Sequence, residues 1–401
     1  MSVPSARARA LPAYAVSEVM AAKRRLAQAG VDVIDLGAGD ADLPPPVAAV
    51  EAMREALGDP RMSRYGFQQG LIAFREAVAR YMERRFGVAL DPMAEILPLI
   101  GSKDGLAHLP FAVLDEGQSC IVPEPGYPAY IGGAVLSGAP AEIVPLRPGR
   151  GFLVELADLP NERLARAGLV YLNYPNNPTA AVASLEYLRR TVDLCRERRI
   201  VIAYDNPYCE ITFDGYRAPS ILQVLGAREV ALEFHSLSKT FGMTGWRLGW
   251  AAGNRELIGA LTKVKSYVDA GPFLAVQRAG AAVLDQAETI VPAIVETFRR
   301  RRDAGVAAFR DAGLSVEVPQ ATMYLWIPVP GGMPSAEFAR GLLEEEGVLV
   351  LHGSTFGAGG EGFFRVALTV GEDRLREAAV RMARGMERTG LGGSALVGKA
   401  G

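Results

Sequence analysis

Strand-like apolar runs alternate with helical patterns through the middle of this chain, and that alternation limits the possible folds more than any other feature. Ile96–Ile100, Ser119–Val122, Gly168–Leu172, Ile200–Tyr204, Val230–Phe234 and Gly249–Ala252 read as short buried strands. Amphipathic helices fall between them. In Ser184–Arg198, for example, Leu185, Leu188, Val192 and Cys195 recur at helical spacing. Such alternation predicts an α/β fold with a mainly parallel sheet covered by helices on both faces. The chain ends read differently. Residues 13–29 and roughly 285–312 are predicted helices, the second long and arginine-rich, and Met323–Pro328 and Phe363–Leu368 are predicted strands in a mixed segment. At 401 residues the chain exceeds the usual reach of one core, so two domains sharing a cleft are expected. The small residues from Gly390 onward are expected to be disordered.

Several function classes are disfavoured at once. Lys+Arg of 43 against Asp+Glu of 45 leaves a net charge of −2, without the basic footprint of nucleic-acid binding. No apolar run approaches the length needed to span a bilayer. The first dozen residues lack the hydrophobic segment of a secretory signal. Cys120, Cys195 and Cys209 are odd in number and widely spaced, which argues against a disulfide framework; Cys120 and Cys209 read as buried thiols. His108, His235 and His352 show no metal-ligand spacing, so no metal is expected. A cytoplasmic location fits this inventory.

The chemistry concentrates in Ser236-Leu237-Ser238-Lys239-Thr240-Phe241-Gly242-Met243-Thr244-Gly245-Trp246-Arg247-Leu248-Gly249. A lysine between two serines offers an amine for an imine bond, which forms only from the unprotonated amine. Two hydroxyls and a forked guanidinium beside it suit a phosphate dianion. This window resembles the lysine signature of the class I/II aminotransferases, the pyridoxal-phosphate (PLP) enzymes of the aspartate aminotransferase superfamily, and the likeness runs over nearly the whole chain. It implies fold type I: a large PLP-binding domain over about 47–284 with a mainly parallel seven-stranded sheet, and a smaller α/β domain from both ends, 1–46 and 285–389. It implies Lys239 as the Schiff-base lysine, with Ser236, Ser238 and Arg247 on the cofactor phosphate.

Other segments join this reading. Gly101-Ser102-Lys103-Asp104-Gly105 follows a predicted strand, where glycines and a helix N-terminus expose N–H groups to an anion. The resemblance gives Ser102 and Lys103 to the phosphate, although Lys103 on its own also reads as a solvated side chain. Asp205 closes the strand Ile200–Tyr204, at the carboxyl end where α/β sheets place ligands. The family pairs an aspartate here with the pyridine nitrogen, and a protonated ring makes the cofactor an electron sink. Opposite charges ~4 Å apart at an effective dielectric of ~20 gain about 4 kcal/mol, roughly three pKa units.

The resemblance also assigns Tyr208 and Asn177 to the cofactor's 3′-oxygen and Tyr127 to the ring face. Asn176-Asn177-Pro178-Thr179 is equally a good turn, and Tyr127 in its Pro/Gly-rich loop could be a packing plug. Arg365, a charge inside an apolar strand, matches the arginine that grips the substrate α-carboxylate; a structural salt bridge is the alternative. Gly39 matches the glycine whose backbone approaches that carboxylate. Tyr65 matches a tyrosine that reaches the neighbouring subunit's phosphate, which would make the protein a homodimer with shared active sites. Ala41, Glu124 and Ala180 depart from the usual family residues.

The expected activity is therefore a ping-pong transamination between an α-amino acid and a 2-oxo acid, with Lys239 as general base and acid. The segments Leu11–Tyr14, Val33–Gly37 and Ala321–Trp326 look like the LL-diaminopimelate and alanine aminotransferase branches. LL-diaminopimelate, alanine and aspartate are the donors to consider, with 2-oxoglutarate as acceptor. A PLP-dependent C–S β-lyase of the same fold is the alternative. A non-catalytic PLP-binding module of a transcription regulator is less favoured, since so few residues precede Tyr14.

Overall fold

A short strand, β1 (Ile34–Asp35), precedes the seven that build the main sheet: β2 (Ile96–Leu99), β3 (Ser119–Glu124), β4 (Ala141–Pro145), β5 (Ala167–Asn173), β6 (Val201–Asp205), β7 (Ala231–Ser236) and β8 (Gly249–Gly253). In this computed structural model, which describes residues 4–12, 16–40 and 42–388, they lie in the order β2-β8-β7-β6-β5-β3-β4. All pairings are parallel except those of β8, which runs antiparallel to both β2 and β7. All six predicted strands of this sheet are present; β4 was not predicted. Only Val144 of β4 is buried, so this edge strand offers no continuous apolar run, unlike β2 at the other edge, which is wholly buried.

Burial on both faces explains the runs that were legible. All seven residues of β5 are buried. Side chains alternate across the sheet: Val170, Leu172, Ile202 and Tyr204 enter one core, while Leu169, Tyr171, Ala203 and Phe234 enter the other. The helix Leu185–Arg198 starts where predicted because the Ser184 hydroxyl accepts from the Tyr187 N–H at 3.1 Å.

A separate core gathers both chain ends. Ile34 and Leu36 pack with Phe298 and Phe309 of the helix Ala287–Asp311, and with residues of β9 (Tyr324–Pro328), β10 (Val348–Leu349) and β12 (Phe363–Ala367). Strand β1 pairs in parallel with β10, and β11 (Leu351–His352), β12 and β9 form a small antiparallel sheet. The predicted helix over 13–29 is seen as Val16–Gln28. Residues 13–15, Ala41 and the tail from Gly390 lie outside the described residues. Among the described residues, no helix is long and apolar enough to cross a membrane.

The reversal of β8 fixes where loops meet. Gly249 at its start sits opposite both Ser236 at the end of β7 and Leu99 at the end of β2. Asn173 and Asp205, at the ends of β5 and β6, are paired on the same edge. One rim of the sheet therefore collects the loops after β2, β5, β6 and β7, and the loop before β8.

Candidate active site

A cavity of about 420 Å³ opens along that rim. Its lining includes Lys239, Asp205, Tyr208, Ser102, Lys103, Tyr127, Asn177, Ser236, Ser238, Arg247, Gly39 and Arg365, that is, every predicted site residue but Tyr65. Tyr65 lies on the surface, 72% exposed, with its ring 5.7 Å from the equally exposed Phe67.

Hydroxyls and one guanidinium gather at one end. Ser236 caps the short helix Leu237–Thr240, its Oγ accepting from the Ser238 N–H at 3.2 Å. Arg247 holds a left-handed backbone (φ 54°) that turns it beneath this helix. Its Nη1 donates to the Thr244 carbonyl at 2.8 Å and to Ser238 Oγ at 3.5 Å, and its Nη2 to the Ile100 carbonyl at 3.5 Å. Gly101 (φ +75°) lies against that guanidinium, and a Cβ there would collide with it. Ser102 opens the helix Ser102–Val113, so helix-terminal N–H groups face the same space.

Behind this end, the fully buried Lys265 ammonium pairs with Asp104 and with Asp269, the latter at 2.7 Å, while His108 Nδ1 lies 2.9 Å from Asp104. Asp104, His108 and Asp269 thus converge within 4.8 Å, a cluster the sequence reading did not foresee. Lys265 supplies its positive charge. Asp104 also accepts from the Ile100 N–H at 2.9 Å, which ties the cluster to the loop carrying Ser102.

Asp205 and Lys239 occupy the middle. Asp205 is buried; its Oδ2 accepts from Tyr130 at 2.7 Å, and its Oδ1 is buried without a partner among the described residues. Burial pushes its carboxyl up to about 7, against the lowering effects of the Tyr130 hydrogen bond and the Lys239 charge. Lys239 Nζ donates to the Gly39 carbonyl.

The far end belongs to Arg365. Its Nη1 donates to Asn177 Oδ1 and its Nη2 to the Gly37 carbonyl, each at 2.7 Å. The guanidinium lies over the rings of Tyr324 (4.1 Å) and Phe356 (4.9 Å). Its Nε is buried without a partner, and among the described residues no carboxylate pairs with it, so the salt-bridge alternative is not what holds it. The cavity thus presents two unmet groups of opposite charge, an acceptor on Asp205 and a donor on Arg365, with the Lys239 amine lining the same space.

Sequence reasoning missed two tyrosines. Tyr324 lines the cavity, its hydroxyl 3.1 Å from that of Tyr208. Burial pushes the Tyr208 phenol well above its usual value. In Tyr324 the same burial effect is outweighed by the Arg365 and Lys239 charges, which bring it below. Tyr130 sits one helical turn beyond Tyr127, and that i, i+3 spacing was the available signal. Both tyrosines read as core because both are fully buried.

Comparison with known proteins places the chain in a family. The sequence model of the family described as aminotransferase class I and II matches residues 31–382. An LL-diaminopimelate aminotransferase from Desulforudis audaxviator (strain MP104C) is 47% identical over 380 residues, covering 95% of this chain and 97% of that one. One from Aquifex aeolicus (strain VF5) is 45% identical over 378 residues, covering 94% and 98%. Among solved structures, substrate-bound BacF from Bacillus subtilis superposes with a TM-score of 0.93 at 31% identity, covering 98% of this chain and 100% of that one. Aspartate aminotransferase from Thermus thermophilus with maleate gives 0.88 at 31% identity, covering 96% and 100%.

Proposed function

Because this chain belongs to the class I and II aminotransferases, whose members depend on pyridoxal phosphate, we propose that it carries an amino group from LL-diaminopimelate to 2-oxoglutarate. It is an aminotransferase, exchanging an amino group between an α-amino acid and a 2-oxo acid by a ping-pong route. The observation that carries the choice of donor is near-full-length identity of 41% to 47% to enzymes named for that substrate.

The residues fit the cofactor at three places. Ser102, Ser236, Ser238 and Arg247, with Lys103 at the rim, hold its phosphate. The unpartnered Oδ1 of Asp205 accepts from its ring nitrogen, and Tyr127 covers the ring face. Tyr208 and Asn177 attend its 3′-oxygen. When bound, the cofactor supplies an electron sink for the electrons of the substrate Cα–H bond. Arg365, already oriented by Asn177, Gly37 and two aromatic faces, grips the α-carboxylate beside Gly39. Lys239 Nζ would hold the cofactor and, once freed, would take the substrate's Cα proton and give it back as general base and acid.

Residues 47–284 are taken as the cofactor domain, with 1–46 and 285–389 as the smaller one. The exposed Tyr65 reaches a second copy's phosphate, making a homodimer with shared active sites, and the enzyme works in the cytoplasm.

A half-reaction screen tests the reading. Each amino acid is mixed with the PLP form while the cofactor band is followed for conversion to pyridoxamine phosphate. LL-diaminopimelate should convert it stoichiometrically without added oxo acid. If alanine or aspartate converts it and LL-diaminopimelate does not, the donor assignment is wrong. Pyruvate and ammonia released from cystathionine without an acceptor would replace it with the C–S lyase reading.

A further inference from the structure

Tyr130 has no part in the scheme above, yet it is the one side chain that donates to the Asp205 carboxylate among the described residues. We propose that Tyr130 is a positioning residue for the cofactor's ring nitrogen: by taking Oδ2 of Asp205 it fixes the carboxylate and reserves Oδ1 for the ring. This rests on the reading that Asp205 pairs with that nitrogen.

The geometry is specific. Tyr130 is fully buried in the helix Pro128–Ser137, and its hydroxyl reaches Asp205 Oδ2 at 2.7 Å. Its ring cannot easily turn, being stacked on Tyr171 at 4.7 Å and 15° and meeting the Tyr127 edge at 5.8 Å and 78°. The Asp205 backbone is pinned as well: its carbonyl accepts from Asn173 Nδ2 at 2.7 Å, and the next N–H bonds the Phe234 carbonyl at 2.8 Å. Only the carboxylate torsion is left to set, and Tyr130 sets it.

A phenol suits this task. Burial and the adjacent carboxylate keep Tyr130 protonated, so it donates throughout the working pH range. A buried carboxylate bonded through one oxygen is half-satisfied, and the remaining oxygen is strongly biased toward a charged donor. Tyr127 and Tyr130 share one helical turn, so the residue proposed for the ring face and the residue behind its nitrogen partner move as a unit.

The competing view is that Tyr130 merely fills the core. The two are separated with two cofactors: PLP and its 1-deaza analogue, in which a CH group replaces the ring nitrogen. Affinities of the apo forms of wild type, Tyr130→Phe and Tyr171→Phe are measured by fluorescence titration, with circular dichroism confirming the fold. Tyr171 is the control, since among the described residues its hydroxyl bonds only the Leu106 carbonyl, at 2.9 Å, and its loss removes an ordinary buried hydrogen bond. Wild type should prefer PLP to the analogue. Tyr130→Phe should narrow that preference about tenfold by weakening PLP alone, with the analogue held within about twofold. Tyr171→Phe should leave the preference unchanged. Equal losses for both cofactors in Tyr130→Phe, no loss for either, or equal narrowing in Tyr171→Phe each overturn the proposal. A wild type indifferent to the ring nitrogen would instead overturn the Asp205 pairing on which it rests.

Discussion

Replacing Asp205 with asparagine should stabilise the cofactor-free protein at alkaline pH while disabling it as an enzyme. Burial holds the Asp205 carboxyl at about 7, against about 3.9 for an aspartate in an unfolded chain. A folded-state acid with a raised pKa binds protons more tightly folded than unfolded. Its contribution is fully present below about 3.9 and is lost as pH rises toward 7. Three units at 1.36 kcal/mol each make that loss about 4 kcal/mol, an order-of-magnitude figure for one buried group. Asparagine has no such titration, although its amide is left with an unmet donor costing about 1–3 kcal/mol at every pH. The absolute difference between the proteins therefore matters less than its slope. Chemical denaturation of both apo forms at pH 5, 6, 7 and 8 should show the variant gaining about 3 kcal/mol on wild type across that range, with the gain flattening above 7. With cofactor bound, a protonated ring paired with Asp205 would lower its pKa again, and the slope in the wild type should shrink. Parallel stability profiles for the two apo proteins would refute the reasoning, because the carboxyl would then titrate alike folded and unfolded.

Lys239→Ala should abolish turnover and the visible band of lysine-bound cofactor; a spectrum and steady-state rates decide it. Arg365→Lys removes the fork while keeping the charge, and losing a charge-assisted hydrogen bond of about 1.5–3 kcal/mol should lower kcat/KM for α-amino acids roughly 10- to 150-fold. An amine lacking the carboxylate should be far less affected. Gly101→Ala combines a positive φ with a Cβ driven into the Arg247 guanidinium, so phosphate and cofactor affinity should fall by about tenfold or more in equilibrium dialysis. Tyr65→Phe should weaken cofactor binding although Tyr65 lies outside its own chain's cavity, and sedimentation should report a dimer.

The sequence was most readable where burial was complete. The strands β5, β6 and β7 are almost wholly enclosed, so their apolar runs stand out, and Asp205 was found because it ends such a run. The edge strand β4 was lost because Ala141, Glu142 and Ile143 are only partly covered. The direction of β8 was invisible, since an apolar run such as Gly-Trp-Ala-Ala-Gly carries no signal of whether the strand runs with or against its neighbours. Tyr130 and Tyr324 were missed for a related reason. A fully buried aromatic looks like core from its neighbours in sequence, and only the third dimension shows one hydroxyl on Asp205 and the other beside Tyr208. The Lys265 cluster joins two local pairs, Asp104–His108 and Lys265–Asp269, that lie too far apart in sequence for spacing to betray their meeting.

The reversed strand β8 carries a lesson about assembly. Because β7 and β8 are antiparallel neighbours, the segment from Ser236 to Gly249 is the tip of a hairpin. Closing so short an excursion costs little chain entropy, and lengthening it would cost only logarithmically more. Lys239 and Arg247 thus enter the site from one local segment, both within the excursion between paired Ser236 and Gly249. In an all-parallel sheet the chain leaving β7 would have to cross back over a face of the sheet to the far end before returning. One inverted strand turns a long-range coincidence into a local one, so grafting or deleting this hairpin would move the reactive amine and its guanidinium neighbour together.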